Sequence, residues 1–289
     1  MSEAAVDIRE LEAIARAARR ETVKAIAHAK GGHLGGPLSA IDALTALYFH
    51  VLHVRPDEPD WPDRDRFVLS KGHSSIALYA VLALRGFFPV SELATFDAID
   101  SRLQGHPDMH ALPGLDMSSG SLGLGLSAAV GIALGAKLGG RAFTTFAMVG
   151  DGECNEGIVW ESAAFATRYA LDNLVVIVDK NELQQFCFRG DDPAKRLAPY
   201  GDEELRRMWS AFGWDVSDVD GHDMAALVRA LERARAGRDR PAVVIAHTTK
   251  GKGVSFMEGD FRWHSRVPTD QELATALREL ADPAVGGKS

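Results

Sequence analysis

Phe143-Thr144-Thr145-Phe146-Ala147-Met148-Val149-Gly150-Asp151-Gly152, and then Leu174-Val175-Val176-Ile177-Val178-Asp179-Lys180-Asn181 about one helix later, decide the fold. Each begins as a short apolar run rich in β-branched or aromatic residues and ends on polar residues. Residues 158–169 between them carry apolar side chains at helical spacing. Strand, helix and strand at this spacing make a βαβ unit, whose strands are parallel because a crossover helix returns the chain to the same sheet end. A further apolar run at 242–246 follows a helical stretch at 224–236. Strands and helices therefore alternate, which predicts an α/β protein with a doubly wound, mostly parallel sheet.

Upstream, Ile8, Leu11, Ile14, Ala15, Ala18 and Ile26 share a helical period that Gly31-Gly32 breaks, so a helix over 8–29 feeds a glycine loop. Ser39 is placed to cap a second helix with Ile41, Leu44, Leu47, Tyr48 and Val51 on one face. Residues 56–65 hold three prolines and five acids and read as an exposed connection. Phe67-Val68-Leu69 after it reads as a buried strand running into Ser70-Lys71-Gly72-His73-Ser74, with a helix from Ile76 onward. The turn at 120–125 opens another helix, to about Lys137. Residues 1–282 read as one domain, and 283–289 as a disordered tail.

With 289 residues, 46% hydrophobic and 25% charged, the chain can bury a sizeable core. Its net charge is −8 and its lysines and arginines are scattered, which argues against nucleic acid as a partner. Two cysteines, Cys154 and Cys187, make no disulfide framework and no repeated metal-binding spacing, so a reducing cytoplasm is the expected location. The N-terminus lacks an export-type apolar region and no run of about 18 apolar residues occurs, so no membrane association is expected.

Asp151, between two glycines, and Asn181 each directly follow an apolar strand, so both emerge at the same edge of a parallel sheet, where ligands of such sheets bind. An acid and an amide converging there suit a hard divalent cation, and magnesium, which shares its shell with phosphate and water, fits best. Gly150 and Gly152 let backbone approach a phosphate closely. The plainer alternative is a pair of strand-end turns, with Asp151 capping the next helix and Asn181 forming an Asx-turn.

Four more segments add to this: Gly32-His33-Leu34-Gly35-Gly36-Pro37, Asp65-Arg66-Phe67-Val68-Leu69-Ser70-Lys71-Gly72-His73, Gln104-Gly105-His106-Pro107 and Ser119-Gly120-Ser121-Leu122-Gly123-Leu124-Gly125. With the Gly-Asp-Gly and Asn pair, they resemble the transketolase motifs, in that family's order. The resemblance implies a thiamine diphosphate-binding (PP-type) fold with thiamine diphosphate and Mg2+ as cofactors. It puts Asp151, Asn181 and the carbonyl of Leu183 on the metal, and Gly120, Ser121, Leu122, Gly150, Asp151, Gly152, Asn181 and Lys250 on the cofactor. His33, His73, His106 and His264 become catalytic groups, since imidazole can donate, accept and move protons near neutral pH.

For His28, His50 and His222 a surface or satisfied core role is the better reading. Glu156 matches a family glutamate at the subunit interface, where paired acids share a proton, and equally reads as a first-turn acid favoured by the helix dipole. Lys250-Gly251-Lys252-Gly253 and Trp263-His264-Ser265 resemble a later lysine-glycine loop and histidine of the family. Leu124 stands where the family has glutamine. Cys154 reads as a packing residue.

Transketolases carry the glutamate that activates the cofactor's pyrimidine in a second domain, for which no segment after Trp263 is long enough. The resemblance therefore implies one subunit of a split transketolase, with a C-terminal, pyrimidine-binding partner in an α2β2 complex, moving a two-carbon ketol unit between sugar phosphates. An apolar, partner-seeking surface is expected around 120–125 and 156–160. Other thiamine diphosphate synthases, such as the deoxyxylulose phosphate synthases, and a non-catalytic cofactor-binding regulatory subunit remain the alternatives.

Overall fold

The computed structural model describes residues 7–185, 200–237 and 239–281. Cys187 and the expected tail at 283–289 lie outside them. Among the described residues the chain runs α1 (Ile8–Ala29), α2 (Gly35–Ala46), β1 (Arg66–Leu69), α3 (Ser75–Arg85), α4 (Leu124–Leu138), β2 (Thr145–Gly150), α5 (Gly157–Arg168), β3 (Leu174–Lys180), α6 (Asp202–Ala211), β4 (Asp215–Asp220), α7 (Met224–Ala236), β5 (Ala242–His247) and α8 (Asp270–Glu279). The strands form one sheet in the order β1-β2-β3-β5-β4, and every pairing is parallel.

Successive side chains of a strand point to opposite faces, and both faces of this sheet are covered. Phe67, Leu69, Phe146, Met148, Val175, Ile177 and Val244 pack with α1, α2, α3, α7 and α8. Val68, Ala147, Val149, Val176, Val178, Val243 and Ile245 pack with α4, α5 and α6. This two-sided burial is why the three inner strands read as unbroken apolar runs.

Two features differ from expectation. Ser39 does not cap the second helix: α2 already starts at Gly35, with Pro37 in the first turn, where a missing N–H costs nothing. Ser39 lies inside the helix and its one hydroxyl proton goes to Asp179 Oδ2 (2.7 Å), with Gly36 O also in reach at 2.9 Å. The edge strand β4, Asp-Val-Ser-Asp-Val-Asp, carries no apolar run, because it pairs on one side only and only Val219 of it is buried. Acids along an open edge discourage pairing with another chain.

Candidate active site

The carboxyl ends of four adjacent strands converge on a cavity of about 240 Å³. β1 delivers Lys71 and His73, β2 delivers Gly150, Asp151 and Gly152, β3 delivers Asn181 and Leu183, and β5 delivers Lys250. His33 comes from the loop between α1 and α2, and His264 from the turn before α8. Those two loops are tied to one another, Leu34 N donating to His264 O (3.3 Å) and Gly251 N to Gly35 O (2.9 Å). At Gly35 an added Cβ would lie 2.8 Å from the Lys250 side chain, so glycine is what lets the loops close.

Three imidazoles form one cluster. Ring centroids are 5.0 Å apart for His33 and His73, 5.1 Å for His33 and His264, and 5.5 Å for His73 and His264. Burial, with the Lys71 ammonium next, pushes His73 down to about 2; burial, with Lys250 next, pushes His264 down to about 3. His33 is lowered by burial and then by His106 and both lysines. All three are neutral at pH 7. Lys250 Nζ lies 2.9 Å from His264 Nδ1, and since an ammonium only donates, His264 carries its proton on Nε2.

The acids beside them are held differently. Asp151 is buried, and its two oxygens accept from Gly152 N (2.8 Å) and Glu182 N (2.7 Å). Burial and then the nearby Asp179 push it up to about 6. Asn181 Oδ1 accepts from Leu183 N (3.2 Å), the Asx-turn that the plainer sequence reading anticipates, while Glu182 between them takes a left-handed φ of 63°. Such a backbone is costly for a non-glycine residue and persists where surroundings over-determine it. The turn does not preclude a ligand role for Asn181, because an oxygen accepting one hydrogen bond keeps a second lone pair.

Asp179, fully buried, takes donors from Lys71 Nζ, Ser39 Oγ, Thr248 Oγ1 and Asn181 Nδ2. Burial alone would raise its pKa, but the Lys71 ammonium holds it below the usual range. Lys250 Nζ donates to Leu183 O (2.7 Å), and burial followed by Lys71 lowers it to about 8.

The donor set fits the magnesium diphosphate of the sequence reading. Asp151, Asn181 Oδ1 and Leu183 O supply oxygens only, as a hard cation requires. Asp151, raised first by burial and then by Asp179, would be favoured in its charged form by a nearby cation. Two ammonium groups and the Gly150 backbone, where an added Cβ would meet nothing within 4 Å, face the same cavity. Gln184, in the cavity wall, has a buried Nε2 with no hydrogen-bond partner.

Not every expected residue lies in that wall. Leu122 does, whereas Gly120 and Ser121 stand beside it and His106 is exposed at the rim, its ring 3.5 Å from where a Gly120 Cβ would be. Glu156 is exposed at the N-cap of α5, accepts no capping bond, and lies against Gly123 rather than the cavity. His222 bridges Asp42 Oδ2 (2.6 Å) and Thr249 N (2.8 Å), a satisfied structural histidine. Cys154 is buried, with its thiol pushed well up by burial, and serves packing. Lys71, Asp179, Glu153 and Gln184 are the residues that sequence reasoning passed over. The signal for Lys71 was its place right after a buried strand at the same edge as Asp151.

Fold and site together define an α/β protein that binds a ligand beyond the carboxyl ends of a parallel sheet. The family model for "Transketolase, thiamine diphosphate binding domain" matches residues 11–281, and the chain belongs to the transketolase family. It is 41% identical over 264 residues to an apulose-4-phosphate transketolase subunit of Phocaeicola vulgatus, covering 91% of each chain. It is also 41% identical over 280 residues to the 6-deoxy-6-sulfo-D-fructose transketolase subunit SqwG of a Clostridium species, covering 97% of this chain and 98% of that one. The crystal structure of Campylobacter jejuni transketolase superposes with a TM-score of 0.86 at 30% identity, over 95% of this chain but 43% of that chain.

Proposed function

We propose that this chain is the diphosphate-binding subunit of a split transketolase, a transferase that moves a two-carbon ketol unit between sugar phosphates with thiamine diphosphate and Mg2+. The observation that carries the reading is the meeting, at one sheet edge, of three neutral imidazoles with the oxygen set of Asp151, Asn181 and Leu183. Bound there, the cofactor would supply the carbanion-stabilising chemistry of ketol transfer. The chain's own share is to hold and orient. Asp151, Asn181 Oδ1 and Leu183 O would hold the cation, and Lys71 and Lys250 would face the diphosphate charge. His33, His73 and His264, kept neutral by burial and two ammonium neighbours, can accept or donate a hydrogen bond at a sugar hydroxyl or carbonyl oxygen and so orient it. His106 at the rim would meet the substrate as it enters.

The partner would be a chain carrying the pyrimidine-binding domain, in a complex with two copies of each. Relatives that this chain matches over 91% and 98% of their lengths are themselves named as subunits. An apolar surface is present for such a partner: Leu124 and Leu138 on α4 and the paired rings of Phe165 and Tyr169 on α5 are exposed, beside half-buried Ile158 and Trp160. It reaches farther along both helices than residues 120–125 and 156–160. A cytoplasmic location belongs to the same reading, supported by the buried free thiol of Cys154; among the described residues no helix is long and apolar enough to cross a membrane.

The test is to assay ketol transfer from a ketose phosphate to an aldose phosphate with the chain alone, the companion alone and the mixture. Activity confined to the mixture, with a two-and-two complex by light scattering, is expected. Full turnover by this chain alone refutes the split reading, and a mixture that binds no thiamine diphosphate refutes the cofactor reading.

A further inference from the structure

Glu153 has no part in the chemistry above, yet it is 2% exposed and lies in the cavity wall. Its hydrogen bonds tie together three segments of the chain. Oε1 accepts from Ser70 Oγ, just past β1, and from Gly123 N (2.7 Å) at the start of α4; Oε2 accepts from Gly150 N (3.0 Å) at the end of β2. Ser70 Oγ in turn accepts from Leu126 N (3.0 Å).

Helix α4 has no capping side chain of its own. Its N-cap is Gly123, at a left-handed φ of 83°. A helix start leaves its first N–H groups without intrahelical partners, and here a carboxylate and a hydroxyl from other segments take two of them. The approach is close throughout: a Cβ at Gly125 would fall 2.6 Å from Ser70 Cα, and one at Gly72 2.8 Å from the Ser119 carbonyl group. Residues 119–125 are thus pressed onto the end of β1 and held by Glu153.

We propose that Glu153 is a positioning residue: its carboxylate clamps the 119–125 loop to the ends of β1 and β2 and so sets the cavity wall at Leu122. This rests on the cofactor reading above, since that wall is where the diphosphate cofactor would be held. An acceptor-only group is essential, because Ser70 Oγ–H, Gly123 N–H and Gly150 N–H all point donors at it. Glutamine at this position keeps one acceptor oxygen and would set its NH2 against either the Gly123 or the Gly150 N–H, losing that anchor.

The experiment compares wild type, Glu153→Gln and Ser70→Ala as full chains, by amide hydrogen exchange, and then in complex with the companion chain, by activity against thiamine diphosphate concentration with magnesium present. A hydrogen bond to a charged group corresponds to about 10- to 100-fold in an opening equilibrium. Glu153→Gln should therefore speed exchange by that factor at whichever of Gly123 and Gly150 faces the NH2 group, leave Val176 and Val178 of β3 unchanged, and raise the KM for thiamine diphosphate with kcat at saturation preserved. Ser70→Ala should speed Leu126 alone, since the carboxylate still holds Gly123. Unaltered exchange at both Gly123 and Gly150 in Glu153→Gln, or loosened exchange with an unaltered KM, overturns the proposal. If Glu153→Gln does not fold, Ser70→Ala decides: Leu126 loosened alone supports the clamp, and any other pattern refutes it. A wild-type complex that binds no thiamine diphosphate would defeat the cofactor reading, and the exchange pattern would still decide the clamp.

Discussion

Lys71→Met removes the ammonium facing Asp179 but keeps the length and apolar body of the side chain. Both partners have only 2% of their side chains exposed. Breaking a buried pair from one side leaves an uncompensated charge, at a cost of about 3–5 kcal/mol. Three neutral donors stay on Asp179, from Ser39, Thr248 and Asn181, which places the loss near the lower end, ~3 kcal/mol. Against a total of about 5–15 kcal/mol, that is a large fraction. The assay is urea unfolding of the full chain, where the midpoint should fall by about 1 M.

Two controls separate this account from a packing defect. With Lys71 gone, burial governs Asp179 and its pKa moves above the unfolded value. The folded variant then binds more protons than the unfolded chain, so its deficit should shrink as pH falls from 8 to 5. Replacing both residues, Lys71→Met with Asp179→Asn, should recover at least half of the loss, because no charge is left unpaired. A Lys71→Met variant within about 1 kcal/mol of wild type, or a double variant no better than the single one, would refute the reasoning.

Asp151→Ala should leave the chain folded and weaken thiamine diphosphate binding at least about tenfold, measured by calorimetry on the complex with magnesium, since it removes the one charged oxygen ligand; unchanged affinity would sink the metal assignment. Single changes of His33, His73 and His264 to Ala should lower turnover about 10²- to 10⁴-fold with little change in melting temperature, and His106→Ala at the rim should do less; variants that melt early but keep specific activity would make these histidines structural. Asp42, where burial alone would raise the pKa, is instead held down to about 2 by Arg19 and His222. A depressed carboxylate contributes stability that is present above its unfolded value of 3.8 and lost as pH falls through about 2, so the advantage of wild type over Asp42→Asn should shrink by about 2 kcal/mol in that window, as read from urea midpoints.

The inner strands were legible because a strand buried on both faces is apolar at every position, as in Val175, Val176, Ile177 and Val178. The edge strand β4 was not, because an edge partner and a half-solvated face leave no apolar signature. That Asp151 and Asn181 meet at one sheet edge was legible from their placement directly after two parallel strands. Lys71 and Asp179 were harder to see, since their meaning lies in each other: a lysine and an aspartate 108 positions apart become a buried pair only once β1 and β3 lie one strand apart in the sheet. Ser39 reads as a cap by residue type, and only the tertiary fold shows its hydroxyl serving Asp179 instead. For Glu156, its place in Gly152-Glu153-Cys154-Asn155-Glu156-Gly157 matched a motif, yet within this chain its side chain stands outside the cavity.

The electrostatics of the cavity sort its ionisable groups by whether the chain itself satisfies them. Asp179 has Lys71 and three further donors, and Glu153 has three donors of its own. The imidazoles shed their charge and stay neutral. Burial raises Glu153 as well, in spite of its donors, and it disfavours the charged forms of two further groups of opposite sign, Asp151 raised to about 6 and Lys250 lowered to about 8. A cation would favour the charged form of the first and an anion that of the second. A metal-bound diphosphate, the ligand proposed above, carries both charges, which is how the two shifts accord with that proposal.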